Sequence, residues 1–185
     1  MTQHTFIGIP LGEVLREEGA VFQEEFEMKG YFRQLVFPED IHLTLLFFGG
    51  APAGEVQKIW EAVKERTGHF PSFSLTMEQL NVFGNPERPR VIFLEPAQNP
   101  VLNELAHIVR NTAGDYGLPV ESRPFRPHIT LAKKWKDKEV RFNPPFQPVR
   151  IRPISKEVCQ LSLFTIHPGR RPKYEAADTI KLKEC

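Results

Sequence analysis

The chain has 185 residues, of which 41% are hydrophobic and 15 are phenylalanine, enough for one compact core and unlike the composition of a disordered chain. Its formal net charge of +1 argues against a protein that coats duplex nucleic acid with its whole surface. No stretch approaches the roughly 20 apolar residues of a membrane-spanning helix.

Strand-like and helix-like hydrophobic patterns succeed one another along the chain. Period-two alternation and short apolar runs predict strands near residues 4–10, 42–45, 72–80, 90–96, 128–131, 157–166 and 173–181. Apolar residues at helical spacing predict helices over residues 11–28, 54–67 and 99–114. The segment 141–153, which is rich in proline and arginine, is predicted to be a loop.

The two halves of the chain have similar patterns, beginning near residues 4 and 90. A shift of 86 residues places His4–Pro10 over Arg90–Pro96 and Pro38 over Pro124. In each half a strand is followed by a helix and then by a strand that carries a histidine. This repeat predicts an α+β fold in one bilobal domain over residues 1–185, with two pseudo-symmetric lobes of antiparallel sheet and outer helices around a central cleft.

Two histidines, His42 and His128, are each followed by threonine two residues later and leucine three residues later. With six histidines and nine threonines in the chain, chance gives roughly 0.3 His-x-Thr matches. On a strand, a histidine and the threonine two positions later project from the same face, about 6.5 Å apart at Cα. Two such faces would form a four-point site from His42, Thr44, His128 and Thr130.

Paired imidazoles are suited to acid and base chemistry near neutral pH. With an unperturbed pKa of about 6.5, one ring can accept a proton while the other donates one. This pairing suits the opening of a phosphodiester ring, in which one histidine activates water and the other protonates the departing ribose oxygen. The threonine hydroxyls can hydrogen-bond the phosphate oxygens. No metal or other cofactor is expected.

Positive charge is concentrated in the second half of the chain. Residues 123–173 contain thirteen Lys or Arg against three Asp or Glu, a local charge of +10. Arg123, Arg126, Lys133 and Lys134 flank the second histidine motif, where they would favour an RNA backbone or a phosphate. An ordinary solvated basic loop is the alternative interpretation.

These motifs resemble the two-histidine phosphoesterase superfamily, and within it the bacterial LigT-like RNA 2′,3′-cyclic phosphodiesterases and 2′-5′ RNA ligases. The similarity extends over nearly the whole chain. It includes the opening strand Phe6–Ile9, the first motif with Phe47 and Gly49, the second block Phe125–Ala132, the late strand Leu161–Phe164, and Tyr174.

The resemblance implies that His42 is the proton donor and His128 the proton acceptor, with Thr44 and Thr130 as phosphate ligands. It implies that the protein opens a 2′,3′-cyclic phosphate at an RNA end to leave a 2′-phosphomonoester. Phe47, Arg126 and Lys133 are further candidates for contact with substrate. The family often has arginine at the position of Lys133, and lysine keeps the charge but loses the bidentate geometry.

Other functions remain open at this stage. The same residues could join RNA ends through a 2′,5′ linkage, or act on small cyclic-phosphate nucleotides, or form a nucleotide- or RNA-binding module without turnover. The expected partners are RNA ends or small nucleotides, and the sequence gives no indication of an obligate protein partner or a membrane.

The remaining polar residues receive structural interpretations. His4, His69, His107 and His167 lack a supporting motif, and core packing is the preferred interpretation of the run Leu45–Phe48. A zinc site is not expected, because neither motif has the usual short histidine spacing or thiolate pair. Cys159 and Cys185 are expected to be reduced, with Cys185 exposed. Because Met1–His4 lacks a secretion pattern, a soluble cytoplasmic protein is predicted.

Overall fold

A computed structural model describes residues 4–185, so the expectation about a secretion signal at Met1–Gln3 lies outside the described residues. Over this range the strands are β1 (Thr5–Pro10), β2 (Phe32–Leu35), β3 (His42–Gly49), β4 (Phe73–Asn85), β5 (Arg88–Pro96), β6 (Ile129–Trp135), β7 (Val149–Val158), β8 (Gln160–Ile166) and β9 (Tyr174–Lys181). The helices are α1 (Glu13–Glu25), α2 (Met28–Tyr31), α3 (Ala53–Thr67) and α4 (Pro100–Asp115). A 3-10 turn, Pro38–Asp40, precedes β3.

The strands form two antiparallel sheets, which confirms the predicted α+β class. The first sheet has the order β3-β1-β8-β9 and the second has the order β2-β6-β5-β4-β7. Apart from the added β2, the two orders correspond, because each motif strand pairs with the opening strand of its own half. The first motif strand, β3, lies at a sheet edge, and the second, β6, lies between β2 and β5.

The helices hold the two sheets together. Helix α1, from the first half, packs against β6, whereas α4, from the second half, packs against β3, and β3 also contacts β6. Buried residues of both sheets, including Leu43 and Leu131, belong to one hydrophobic cluster. Within residues 4–185 no helix combines the length and the apolar character that crossing a bilayer requires.

Several of the predicted element boundaries were wrong, and three of them change the description of an element. Residues 149–153, predicted as loop, begin β7, which is an edge strand where Pro153 opposes a break in the pairing register with β4. The predicted strand 157–166 is divided at Cys159, between β7 and β8. The predicted helix 11–28 ends at Glu25, and Glu27 then adopts a φ of +45° before α2.

The expectation of reduced cysteines was also wrong, because the structure joins Cys159 and Cys185 in a disulfide. The C-terminal segment is held beside the start of β8 by a backbone hydrogen bond from Leu182 N to Cys159 O (2.8 Å), and beside the residues before β4 by one from Lys183 N to Phe70 O (2.9 Å). These contacts bring the two Cα atoms to 5.5 Å, within the usual range for a bridge.

Gly8 on β1 permits the close pairing of β1 with the first motif strand. A Cβ atom at this position would lie 2.8 Å from the backbone oxygen of Leu43, the residue between His42 and Thr44. Since that oxygen belongs to the backbone, it can move only if the strand moves. Gly54, near the start of α3, has nothing within 4 Å of an added Cβ.

We therefore expect opposite effects of two glycine-to-alanine substitutions on the free energy of unfolding. Gly8→Ala should lower it by about 1–3 kcal/mol, because the added methyl group overpacks the pairing of β1 with β3. Gly54→Ala should raise it by about 0.5–1 kcal/mol, because alanine is the better helix former. Urea unfolding followed by tryptophan fluorescence measures both changes. A Gly8→Ala variant with the wild-type midpoint would contradict the close approach.

Candidate active site

Each motif strand contains a β-bulge immediately after its motif threonine. In β3 the register passes from Ile7↔Leu46 to Gly8↔Thr44, which leaves Leu45 as the extra residue. In β6 the register passes from Ile92↔Ala132 to Phe93↔Thr130, which leaves Leu131 as the extra residue. A bulge redirects the side chains that follow it.

The bulges determine which later residues face the cleft. Leu45 and Leu46 are both buried, as are Leu131 and Ala132, so strict alternation stops at each threonine. Alternation then resumes one position later and brings Phe47 and Lys133 to the face of the motif threonines. These two residues stand at the same position of the repeat, 86 residues apart.

His42 is half-buried in an aromatic setting. Its ring centroid lies 4.6 Å from that of Phe6 and 4.9 Å from that of Tyr174, which meets it edge-on. Its Nδ1 is 2.7 Å from the backbone oxygen of Asp40, and its Nε2 is 2.9 Å from Thr44 Oγ1. The ring is therefore fixed on both edges.

His128 is also half-buried, immediately before β6, and is held in a similar way. Its Nδ1 lies 2.8 Å from the backbone oxygen of Arg126. The rings of Phe83 and Phe93 meet it edge-on, at centroid distances of 5.0 and 5.6 Å. Both histidines thus contact the carbonyl two residues earlier in the chain.

These carbonyl contacts determine the tautomer of each neutral ring. A carbonyl oxygen can only accept, so Nδ1 must carry the proton in both histidines. In the neutral ring Nε2 then has the free lone pair. Nε2 of His42 accepts a hydrogen bond from the Thr44 hydroxyl, and Nε2 of His128 lies on the ring edge opposite its anchor.

Burial lowers the pKa of both histidines. For His42 desolvation outweighs the hydrogen bond to Asp40 and, aided by repulsion from Lys133 and His128, brings the pKa to about 4. For His128 desolvation also lowers the pKa. The hydrogen bond to Arg126 O acts against this decrease, and the positive charge of Arg126 adds to the decrease. Both rings are therefore neutral at pH 7 when nothing is bound.

Asp40 links His42 to the segment before β9. Its side chain is buried, with 3% exposed. Its carboxylate accepts hydrogen bonds from the backbone nitrogens of Lys173 (2.8 and 3.0 Å) and Tyr174 (3.0 Å), while its own carbonyl accepts from His42. The same residue thus positions both His42 and the segment that places Tyr174 beside it.

The four motif side chains line two adjoining cavities that meet at Thr44 and Phe47. The first cavity, of about 530 Å³, is lined by His42, Thr44 and Thr130. The second, of about 1090 Å³, is lined by Thr44 and His128. The structure therefore gathers all four motif residues around one cleft between the sheets.

The three further candidates lie at different places in this cleft. Lys133 lines the first cavity, and burial together with the charges of Lys173 and Lys134 lowers its pKa. Phe47 lies where the cavities meet and is 56% exposed, whereas Phe48 is buried. Phe47 is therefore the one residue of the run Leu45–Phe48 that departs from the core-packing interpretation.

Arg126 lines the second cavity but is engaged by the protein itself. Its Nη2 lies 3.2 Å from Glu95 Oε1, and its guanidinium lies 4.8 Å from the centroid of Phe83. Burial acts against ionisation of Glu95, but hydrogen bonds from Asn81, Gln79 and Arg126 lower the pKa of Glu95. Arg126 thus has a permanent anionic partner.

Sequence reasoning missed several residues that line the first cavity. Gln34 comes from β2, which was not predicted, and Phe6 and Lys173 come from elements whose cleft-facing positions the sequence does not mark. Tyr174 was noted only for its resemblance to closing strands of the family. Asp40 and Arg126 stand 86 residues apart, each two residues before a motif histidine. This shared position in the repeat is the signal that could have identified Asp40.

The other histidines lie apart from this arrangement. Within residues 4–185, neither cavity is lined by His4, His69, His107 or His167. His4 nevertheless stacks near Phe47, at a centroid distance of 6.0 Å. The described part of the chain contains no cluster of three His, Cys, Asp or Glu side chains that could hold a metal ion.

Curated proteins and solved structures resemble the chain over most of its length. The RNA 2′,3′-cyclic phosphodiesterase of Bacillus subtilis is 34% identical over 173 residues, which cover 93% of this chain and 92% of that protein. The Geobacillus stearothermophilus enzyme of the same name is 31% identical over 97% of this chain, although the match spans only 57% of that longer protein. The crystal structure of Escherichia coli LigT complexed with 3′-AMP has a TM-score of 0.83 at 25% identity, covering 98% of this chain and 99% of LigT.

A family model confirms the resemblance predicted from the two histidine motifs. The model described as the 2′-5′ RNA ligase superfamily matches residues 18–169, a range that contains both motifs and both bulges. The relatives match at the level of both sequence and fold. This chain belongs to the 2′-5′ RNA ligase superfamily, as a LigT-like member of the two-histidine phosphoesterases.

Proposed function

We propose that this chain hydrolyses 2′,3′-cyclic phosphate ends of RNA to 2′-phosphomonoesters. The observation that carries the proposal is the pair of histidines that are anchored at Nδ1 beside one cleft. The names of the B. subtilis and G. stearothermophilus relatives support the reaction class, and the 3′-AMP held by LigT supports a nucleotide in the cleft.

In the proposed reaction, both proton transfers pass through Nε2 atoms. Neutral His128 takes a proton from water as the water oxygen attacks phosphorus in line. The bond between phosphorus and O3′ breaks, and protonated His42 gives its Nε2 proton to O3′. The products are a free 3′-hydroxyl and a 2′-phosphate. The hydroxyls of Thr44 and Thr130 donate to the non-bridging oxygens as negative charge grows on them.

Binding of the substrate favours the protonated form of His42 that the proposed reaction requires. His42 is neutral in the empty cleft, since its pKa is about 4. A phosphodiester anion bound beside it favours the imidazolium and raises the pKa of His42. Lys133 lines the same cavity and opposes that rise, while its own charge attracts the phosphate. Protonation of the general acid is thus coupled to binding.

We expect His42→Ala and His128→Ala each to lower kcat/KM by about 10²- to 10⁴-fold, because each removes a general acid or base. The measurement is hydrolysis of a short RNA with a 2′,3′-cyclic phosphate, in EDTA, with the phosphate position of the product identified. His107→Ala is the matched control. His107 is exposed on α4 and hydrogen-bonded to Asn111. The His107→Ala variant should therefore retain wild-type activity.

Four outcomes would count against the proposal. Wild-type turnover that survives in both motif variants would remove the paired-histidine chemistry. A 3′-phosphate product would reverse the assigned leaving group. Tight nucleotide binding without any turnover would favour the binding module, and joined RNA halves as the main product would favour the ligase reaction for which the family is named.

The pH dependence gives a separate test. The profile of kcat/KM reports the free enzyme, where both histidine pKa values are lowered, whereas that of kcat reports the substrate complex. Because a bound anion raises both pKa values, both limbs of the kcat profile should lie at higher pH than those of kcat/KM. Steady-state rates between about pH 4 and 9 measure this shift. Coincident pH profiles of kcat and kcat/KM, or a kcat optimum at a lower pH than that of kcat/KM, would contradict this prediction.

A further inference from the structure

We propose that Asp40 is a positioning residue for the general acid: its buried carboxylate, held outside the cleft, supplies the negative charge that keeps His42 protonated while a phosphate occupies the lysine-lined first cavity. This inference rests on the proposed function, in which His42 protonates O3′. Asp40 lines neither cavity, so it acts through His42 and not on the substrate.

The Asp40 carboxylate is fixed beside His42 by the start of β9. Its Oδ1 accepts hydrogen bonds from the backbone nitrogens of Lys173 (2.8 Å) and Tyr174 (3.0 Å), and its Oδ2 also accepts from Lys173 N (3.0 Å). Acceptance at both oxygens is the arrangement of an ionised carboxylate. Because the ring of Tyr174 meets His42 edge-on at 4.9 Å, the same contacts hold the carboxylate and the His42 ring in one rigid group.

The first cavity presents positive charge to His42. Three lysines line it, namely Lys133, Lys134 and Lys173, and within residues 4–185 no acidic side chain does so. These lysines attract a phosphate, but the charges of Lys133 and His128 lower the pKa of His42 and so act against its protonation. Tyr174 adds no charge at neutral pH, because burial and the Asp40 carboxylate raise the pKa of its phenol.

Asp40 offsets this positive charge from a place that the phosphate does not reach. Desolvation lowers the pKa of His42, and Asp40 opposes the decrease through both its backbone oxygen and its charge. Among residues 4–185 it is the one acidic residue whose charge acts on this ring. Since its side chain is 3% exposed and lines neither cavity, it stabilises the imidazolium with little repulsion of a bound phosphate.

The corresponding position in the second half of the chain carries the opposite charge. Asp40 and Arg126 each stand two residues before a motif histidine. Desolvation lowers the pKa of His128, and the charge of Arg126 lowers it further, although the guanidinium pairs with Glu95. The carboxylate thus favours a proton on the ring that donates, and the guanidinium disfavours a proton on the ring that accepts. This difference in charge distinguishes two otherwise similar histidine anchors.

The test is Asp40→Asn, with Glu39→Gln as the matched control. Asparagine keeps Oδ1, which accepts from both backbone nitrogens, but it has no charge. Glu39 is the exposed neighbour, so its variant removes an equal charge from the surface. For a short RNA with a 2′,3′-cyclic phosphate at pH 7, Asp40→Asn should lower kcat about 10-fold and change KM less than about 2-fold, because fewer complexes carry the imidazolium. Glu39→Gln should retain the wild-type kcat.

A substrate with sulfur in place of O3′ separates the charge of Asp40 from a purely structural role. Water attacks phosphorus, the phosphorus–sulfur bond breaks, and its electron pair leaves with sulfur as a thiolate. The thiolate needs no proton from His42, because a thiol has a pKa of about 8.5. Asp40→Asn should therefore hydrolyse this substrate within about 2-fold of the wild-type rate, and the loss in His42→Ala should shrink at least about 10-fold.

Two results of these assays would overturn the inference. One is an equal loss of activity in Asp40→Asn on the oxygen and sulfur substrates, which a structural role alone produces. The other is an equal effect of Asp40→Asn and Glu39→Gln on kcat.

Nitrogen-15 NMR of the His42 ring separates this inference from the proposed function, because it needs no turnover. In protein saturated with a 2′-phosphorylated nucleotide, His42 of Asp40→Asn should become protonated only at a lower pH than in wild type, whereas Glu39→Gln should titrate like wild type. If the titration shifts in this way but the cyclic substrates are not opened, the role of Asp40 stands and the proposed function fails. If sulfur recovers the activity of His42→Ala but not that of Asp40→Asn, the function stands and this inference fails.

Discussion

The proposed chemistry depends on one hydrogen bond made twice: each motif histidine donates its Nδ1 proton to the carbonyl oxygen two residues earlier. For His42 the acceptor is Asp40 O at 2.7 Å, and for His128 it is Arg126 O at 2.8 Å. This contact sets the tautomer, orients the ring and makes Nε2 the atom that accepts or gives up the proton. Burial of the rings lowers their pKa values, so a bound anion can change their protonation near neutral pH.

The fold produces this hydrogen bond twice and brings the two copies together. Corresponding sheet orders place each motif strand beside the opening strand of its half, and a bulge after each threonine turns Phe47 or Lys133 toward the cleft. Helices α1 and α4 each pack on the motif strand of the other half, which joins the sheets into one core. The two halves share this bulged strand arrangement but differ in chemistry, since one half presents an aromatic ring and the other an ammonium group.

Much of the fold was predictable because its signals are local. The motif strands, the opening strands and helices α3 and α4 follow from alternation and helical spacing, and the α+β class follows from their repeat. The bulges were not predictable, because Leu45 and Leu46 are both apolar and fit either register. The roles of Asp40 and of the Cys159–Cys185 bridge depend on partners distant in sequence, 133 and 26 residues away. Pro153 favoured a loop, because proline is rare inside a sheet. Only the sheet order shows that its strand, β7, lies at an edge, where proline is tolerated.

Nitrogen-15 NMR of the histidine rings, in the free protein and with a 2′-phosphorylated nucleotide, tests the central claim most directly, with His42→Ala and His128→Ala for assignment. At pH 7 the account predicts that both free rings are neutral, with the proton on Nδ1 and a lone pair on Nε2. Addition of the nucleotide should then protonate Nε2 of His42. A proton on Nε2 of either neutral ring, or no change at His42 on saturation, would contradict the account.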